Sequence, residues 1–477
     1  MPLRQGFGSP SRYSPRVADG LRVVIPAILV VIFCSLPVAV RAQAPLSLNE
    51  VVTRALEKYP AVGVSQAEVA AAAAGIRVAR TSYLPRIDAV AQANRATRNN
   101  VAGLVFPQGL PIISGSTVDQ YNSVAMWGSV VGFVVAWEPF DFGGRAANVA
   151  AAEAAKARTD AATARTRLEV ATLAADSFLT LLAAQQTVRA AEAGVERSGV
   201  FLSVVQSLAQ ADIRPGVELS RARAEDSAAR TQLIQARRAV AVAQALLASL
   251  LGLEPSDIRV APGRLLELPP ASESPAGVVA ANPALTEQDQ AIQEARARLK
   301  SLGSEYYPRI NLLGSVFARG TGAHADGTIG TGSDGLKPDV RNWAIGFTAS
   351  FPLLDFASLR AQRASESARV QGETSRYQQI VQDLTGRLYV AAANADAARQ
   401  VAANTPIQLE AAQATHQQAV GRYRAGLGTV VDVSDAQRLL TQTEIDDALA
   451  RLGVWRALLS IAAAQGDLQP FLQRAGQ

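Results

Sequence analysis

Residues 143–209 read GGRAANVAAAEAAKARTDAATARTRLEVATLAADSFLTLLAAQQTVRAAEAGVERSGVFLSVVQSLA. This run of about 67 residues holds no Pro and is dominated by Ala, Arg, Glu, Gln and Leu, the strongest helix formers. At 1.5 Å per residue a single helix of that length is roughly 100 Å long, more than an ordinary globular domain can contain. Ala buries little area, so the apolar faces of such a rod are thin and need close partners along their whole length. Immediately upstream, Ser123 to Trp137 alternates with period two, as a strand does. A strand feeding a rod is the unit of this chain, and it occurs twice.

The 477 residues carry 46 Lys and Arg against 41 Asp and Glu, formally +5. Most of the excess precedes Gln43, where Arg4, Arg12, Arg16, Arg22 and Arg41 face only Asp19. Setting those six aside leaves 41 basic against 40 acidic residues, so the basic balance is no argument for nucleic acid as a partner. Arg16 and Arg22 precede an apolar run, Val23 to Val40, that ends in small residues. Residues 1–42 therefore read as an export signal, with Val40-Arg41-Ala42 as the small-x-small cleavage site. Ala42-Gln43-Ala44 also fits but leaves Pro45 at the new terminus. A retained anchor of about 18 residues is the alternative; Pro26 and Pro37 argue against it. The only cysteine, Cys34, lies inside this segment without a lipoprotein context, so the mature chain has no thiol chemistry. Beyond the signal no apolar run reads as a membrane-crossing helix. Any crossing must then use strands, which have to close into a barrel.

From Leu46 to Ser82 the pattern is helical, with Ser47 and Glu50 spaced as a capping box and Pro60 as a break or kink. Tyr83-Leu84-Pro85-Arg86-Ile87-Asp88 ends it, and the first strand follows at about 84–96. Asn99 to Tyr121 is loop. In the second strand, about 123–138, Trp127, Val131, Phe133, Val135 and Trp137 share one face, with a Trp at each end as in a barrel strand. The rod then runs to Ala209, Asp212 to Gly216 turn the chain, and a second helix, 217–252, stops at Gly252. Leu253 to Pro275, with five prolines, is a linker.

The chain then repeats. Pro60 and Pro283, like Pro85 and Pro308, lie 223 residues apart. Tyr306-Tyr307-Pro308-Arg309-Ile310-Asn311 opens a third strand, about 308–319. Trp343, Ile345, Phe347, Ala349 and Phe351 line one face of a fourth, about 341–352. Asp355-Phe356 echoes Asp141-Phe142, and Val431-Asp432-Val433-Ser434 echoes Val217-Glu218-Leu219-Ser220, both at an offset of 214. A second rod covers 357–425, kinked at Pro406, and a helix at 429–466 ends on Gly466, the echo of Gly252. Duplication at a fixed offset is specific evidence, and it divides the mature chain into 43–270 and 271–477. The shorter helices are each about half a rod. The helix returning from the first turn is thus expected to end halfway along, where the next repeat's first helix starts, with the linker at the waist. Trp127, Val131, Phe133, Val135, Ile345 and Phe347 are expected to face lipid; Arg86, Asp88, Arg309 and Asn311 are expected to face water. Four strands cannot close a transmembrane barrel, whose minimum is about eight, so the chain must oligomerise.

This layout resembles the TolC-type outer-membrane efflux proteins. The resemblance rests on Asn282-Pro283-Ala284, the two Tyr-x-Pro-Arg-Ile strand starts, Phe140-Asp141-Phe142-Gly143-Gly144-Arg145, Tyr423-Arg424-Ala425-Gly426, the Val431–Ala436 run and Gly466. It covers about Pro45 to Gln469. It implies a mainly α fold with a transmembrane β part: a homotrimer with a twelve-stranded outer-membrane barrel, continued by a periplasmic α-helical barrel. The partners it implies are outer-membrane lipid, a periplasmic adaptor (membrane fusion) protein and an inner-membrane transporter. The rod tips at Ile213, Arg214, Gly216, Gly426 and Leu427 should dock the adaptor. Asp432 and Asp435 should ring the entrance, where clustered like charges raise one another's pKa. Tyr423 and Glu218 match a Tyr-to-acid gate link; Gly428 stands where relatives carry an Arg, for which Arg422, Arg424 or Arg214 could substitute. Trp127, Trp137, Trp343 and Phe351 are placed as the aromatic girdle. Ala357-Ser358 departs from the Gly-Gly of the first half, and the lipidated cysteine of many relatives is missing.

Enzymatic readings find little in the sequence. Gly330-Thr331-Gly332-Ser333-Asp334-Gly335 matches a dinucleotide fingerprint but precedes Lys337-Pro338 rather than a helix. The only histidines are His324 and His416, the latter expected as a solvated rod residue, and neither a metal motif nor a triad is present. No cofactor or metal is expected. The function read here is export of small molecules through an outer-membrane tunnel. The alternatives are the tunnel of a type I protein secretion system and, from another class, a periplasm-spanning structural coiled coil.

Overall fold

A computed structural model describes residues 45–97, 124–213, 215–270, 282–324, 328–351 and 355–476. The export segment, the loop at 98–123 and Arg214 lie outside the described residues. The first repeat consists of α1 (Leu48–Lys58), α2 (Pro60–Thr81), β1 (Arg86–Thr97), β2 (Ala125–Phe140), α3 (Gly144–Gln210) and α4 (Gly216–Leu251). The second consists of α5 (Pro283–Ser304), β3 (Arg309–Thr321), β4 (Val340–Ser350), α6 (Phe356–Arg424), α7 (Val430–Gln465) and α8 (Gln469–Gly476). Local chemistry sets several of these limits. Ser47 and Glu50 form the capping box that starts α1, Pro60 opens α2 at a position where its missing N–H costs nothing, and Gly252 and Gly466 cap α4 and α7 in the left-handed region. Pro406 does not interrupt α6, which stays helical through it. The C-terminal tail forms a further helix, α8, whose Phe471 and Leu472 are buried.

The four strands form one antiparallel sheet in the order β1-β2-β3-β4. Its register assembles one apolar face. Ala89 pairs with Phe133, Phe133 with Val316 and Val316 with Trp343; one step along, Ile87, Val135, Gly314 and Ile345 align in the same way. The opposite face carries Arg86, Asp88, Gln92, Asn94, Asn311, Asn342 and Thr348, interspersed with small residues and with Val130, Val134, Leu313 and Phe317. On the apolar face Phe347 is 79% and Trp343 76% exposed in the single chain. Among the described residues the outer edges of β1 and β4 are unpaired.

At the waist one core joins both repeats. Val51 and Ala55 of α1, Phe178, Leu181 and Leu182 of α3, Leu247 of α4, Ile258 and Leu265 of the linker, and Trp455 and Leu459 of α7 are all buried in it. Trp455 donates to the Glu267 carbonyl at 2.9 Å and meets the Phe471 ring edge-on. By composition alone α3 and α4 each hold a window apolar enough to cross a membrane, contrary to the sequence expectation. The apolar residues of α3 between Val170 and Leu182 serve this core instead.

The short helices do meet end to end, but between different partners than expected. The start of α5 abuts the end of α7, not that of α4. Asn282 is 3% exposed; its Oδ1 accepts from Ala284 N at 3.0 Å, and its Nδ2 donates to the Ala464 carbonyl at 3.0 Å. One amide side chain thus satisfies orphan groups of two helix termini. Gly466 has φ +90°, and a Cβ there would stand 2.5 Å from Asn282 Cα, so this contact requires glycine.

Each hairpin of long helices is bound internally by a buried hydroxyl–carboxylate bond, whose carboxylate also pairs with a more exposed guanidinium. Ser198 of α3 donates to Asp226 of α4 at 3.0 Å, and Arg230 Nε donates to the other oxygen at 2.7 Å. In the second hairpin Thr405 donates to Asp447 at 3.1 Å, and Arg451 reaches the other oxygen at 2.5 Å. Removing one partner of such a group leaves buried charge uncompensated, so each hairpin resists internal rearrangement.

Candidate functional site

Apart from Trp127, Trp343 and the other strand residues, the residues singled out by sequence converge at two places: the junction of strands and rods, and the far tips of the rods.

At the junction, β2 turns into α3 through Phe142, whose φ is +51°. The Asp141 carboxylate accepts from the Arg145 backbone N–H and lies 3.2 Å from its guanidinium. Arg145 is 8% exposed; it donates to the carbonyls of Ser82 and Pro139 at 3.3 and 3.2 Å and stacks over the Tyr83 ring at 4.9 Å. Partial burial pushes the Asp141 carboxyl up, but the hydrogen bonds and charge of Arg145 outweigh it and hold the group below its ordinary value. Phe142 stacks on Tyr307, and Phe356, its echo, stacks on Tyr306. Trp137 donates to the Tyr83 carbonyl at 3.1 Å. Trp137 and Phe351 thus sit at the helix end of the sheet; Trp127, under the Arg95 guanidinium, and Trp343 sit at the loop end. The Gly330–Gly335 segment is turn structure between β3 and β4, with no helix after it.

At the tips, Asp212 adopts a left-handed φ of +56° and Gly426 one of +76°. Gly216 and Gly426 are exposed, as are Ile213 and Leu427 at 66% and 73%. Beneath them Phe201, Val205, Ala222, Tyr423, Val430 and Val433 form a small core drawn from all four long helices. Tyr423 is 1% exposed, packs edge-on against Phe201 at 5.1 Å, and donates its hydroxyl to Glu218 Oε2 at 3.1 Å. That bond ties the second hairpin to the first. Of the arginines considered beside it, Arg422 donates to the Leu427 carbonyl at 3.4 Å, and Arg424 is exposed.

Asp432 and Asp435 are both exposed on the first turns of α7. Asp432 closes a capping box: its carboxylate accepts from the Thr429 backbone N–H at 2.8 Å and the Thr429 hydroxyl at 2.9 Å. The Thr429 backbone bond, then its side-chain bond, lower the Asp432 pKa, with a smaller contribution from Arg422. Within one chain the shift is therefore opposite to that expected from clustered acids. The sign follows: the stabilisation is present above the unfolded pKa and is lost as pH falls through the lowered folded value. Asp435 pairs with Arg438, which also lies 3.7 Å from Glu225 of α4.

The structure adds residues that sequence reading did not select. Arg197 of α3 makes two bonds to Glu444 of α7, at 2.9 and 2.7 Å, and a third to Thr441 at 2.9 Å. No local pattern announces partners 247 positions apart. His416 is not a solvated rod residue: it is half-buried, and its Nε2 has no hydrogen-bond partner among the described residues. Burial and then the Arg197 charge lower its pKa, against a weaker upward pull from Glu444. A cavity of about 240 Å³ opens between α3 and α6 here, lined by Arg197, Phe201, His416, Val420, Tyr423 and Gln437. Among the described residues no cluster suited to a metal ion occurs.

The family model described as "Outer membrane efflux protein" matches residues 51–253 and 277–467, one stretch in each repeat. The chain belongs to that family. Solved structures agree on the fold. The outer-membrane channel OprN is 20% identical, with a TM-score of 0.68 over 88% of this chain and 89% of its own. The Campylobacter jejuni CmeC outer membrane channel is 16% identical, with a TM-score of 0.72 over 88% and 85%. The Vibrio cholerae outer membrane protein VceC is 17% identical, with a TM-score of 0.69 over 88% and 96%. No curated protein matches the sequence. The efflux family member described here is thus an outer-membrane protein that shares the fold of these solved structures.

Proposed function

We propose that three copies close a twelve-stranded barrel continued by a helical tunnel, and that this tunnel exports small molecules received from a periplasmic adaptor and an inner-membrane transporter. The observation that carries the proposal is the sheet: among the described residues, four strands with two unpaired edges and one apolar face. In lipid such edges must pair, and only a closed barrel achieves that. Two chains reach the minimum of about eight strands, and three give twelve; membership of the efflux family favours three. The exposed aromatics at both ends of the sheet fit lipid interfaces. In this reading the Tyr423–Glu218 bond is the closed gate, and Asp432 and Asp435 line the entrance of the assembled tunnel.

Planar bilayers test the tunnel end. Tyr423→Phe with Glu218→Ala should raise single-channel conductance, because a bond between the hairpins is lost while Tyr423 keeps its ring against Phe201. Asp432→Ala with Asp435→Ala should weaken cation selectivity and block by multivalent cations. Selectivity and block unchanged by the second pair would remove these carboxylates from the pore. The docking role has its own check: cysteines at Ile213 and Leu427 should crosslink to the adaptor in cells, whereas crosslinks confined to barrel loops would place the contact elsewhere.

A further inference from the structure

We infer that Arg197 is a positioning residue for the gate: its bonds to Glu444 and Thr441 clamp the two hairpins together just above the Tyr423–Glu218 link and hold that link closed. The inference rests on reading Tyr423–Glu218 as the gate.

Gly194, Arg197 and Phe201 are spaced to share one face of α3. At Gly194 the absence of a side chain lets α3 approach α7: a Cβ there would stand 3.0 Å from Thr441 Oγ1. Arg197, one turn on, engages Glu444 through both Nη atoms, and its own carbonyl accepts from Gln437 at 3.3 Å. Phe201, a further turn on, is the edge-on partner of the Tyr423 ring. The same stretch of α3 thus fixes α7 at one end and the gate tyrosine at the other. The ion pair is well shielded, with side chains 19% and 24% exposed, and its forked geometry needs guanidinium rather than ammonium.

The internal bonds of the hairpins decide what can move. Ser198–Asp226 and Thr405–Asp447 are buried within hairpins, so separating Tyr423 from Glu218 is a displacement of one hairpin against the other. That displacement must break or slide the Arg197–Glu444 pair. The cavity bounded by Phe201, Val420 and Tyr423 leaves room beside the gate ring for such a shift. His416 faces the pair from α6. Glu196 and Arg424, which also line the cavity, are the other charged groups there.

The test uses the full-length protein in planar bilayers, with the yield of assembled channel measured alongside. Glu444→Gln and Arg197→Gln should each raise the open fraction about tenfold, the scale of one coupling between sites, with assembly unchanged. The exchange Arg197→Glu with Glu444→Arg should return the open fraction toward the parent value, which a general loosening of the hairpins would not do. Parent-like gating in both single variants, alongside a raised conductance in Tyr423→Phe with Glu218→Ala, would overturn the role of Arg197 and leave the gate intact. No change in any of these variants would instead overturn the gate itself. Should the single variants fail to assemble, the exchange decides: assembly with parent gating supports the clamp, and assembly with a leaking channel refutes it.

Discussion

Arg145→Ala should cost about 3–5 kcal/mol of stability at neutral pH, the scale of removing one partner from a buried ion pair. The substitution strands the Asp141 carboxylate, two carbonyls and the face of Tyr83 together, where β2 hands over to α3. Arg145→Lys should recover only part of the loss, because an ammonium cannot span Asp141, Ser82 and Pro139 at once. The pH dependence has a definite sign. The Asp141 pKa is lowered in the folded chain, so its contribution exists above the unfolded pKa and disappears as pH falls through the folded value. The gap between parent and variant should therefore narrow in acid. Urea unfolding of the detergent-solubilised protein at two pH values measures this, and a loss below about 1 kcal/mol at neutral pH, well under the expected range, would show that the junction does not depend on Arg145.

Val131→Arg should cost about 2–4 kcal/mol in a bilayer, the price of a cation near the midplane of a lipid-facing strand. Val131 lies mid-strand between Ala91 and Ala318, on the face that also carries Phe133 and Ile345. The matching control is Gln92→Arg, on the polar face one step along β1, which should change little. Heat stability and yield of the assembled protein measure both. Equal tolerance of the two substitutions would mean that this face does not meet lipid.

The duplicated strand-and-rod layout was legible because its signals are local and periodic. Alternation marked the strands, Ala-rich runs without proline marked the rods, and the fixed offset tied the halves together. Tyr423 and Glu218 are paired in the sequence only by the resemblance to the efflux family, and the structure joins them in one hydrogen bond. Arg197–Glu444 could not be read in advance: both ends are ordinary charged residues of long helices, and only packing makes them neighbours. His416 was misread for the same reason, since its burial is set by α3 and α7 rather than by its own turn of helix. The start of α5 was assigned to the wrong partner because helix lengths fix where a helix can end but not which of two equivalent ends it meets. The helix α8 was missed because eight residues carry too little periodicity, although Phe471 and Leu472 are the apolar pair that docks it.

The joint between Asn282 and the end of α7 also bears on how the chain is made. Asn282 bonds a carbonyl 182 positions later, so the first turn of α5 stays unfinished until α7 has emerged. Trp455 and α8 close the waist from the same late segment. Contacts of such long sequence separation form slowly, and the waist core of the first repeat is exposed while they are awaited. A nascent chain stalled before α7 would therefore lack Trp455 and Leu459 beside Phe178, Leu181 and Leu247, and would be a ready target for chaperones and proteases. The arrival of α7 and α8 is thus the step that covers this core.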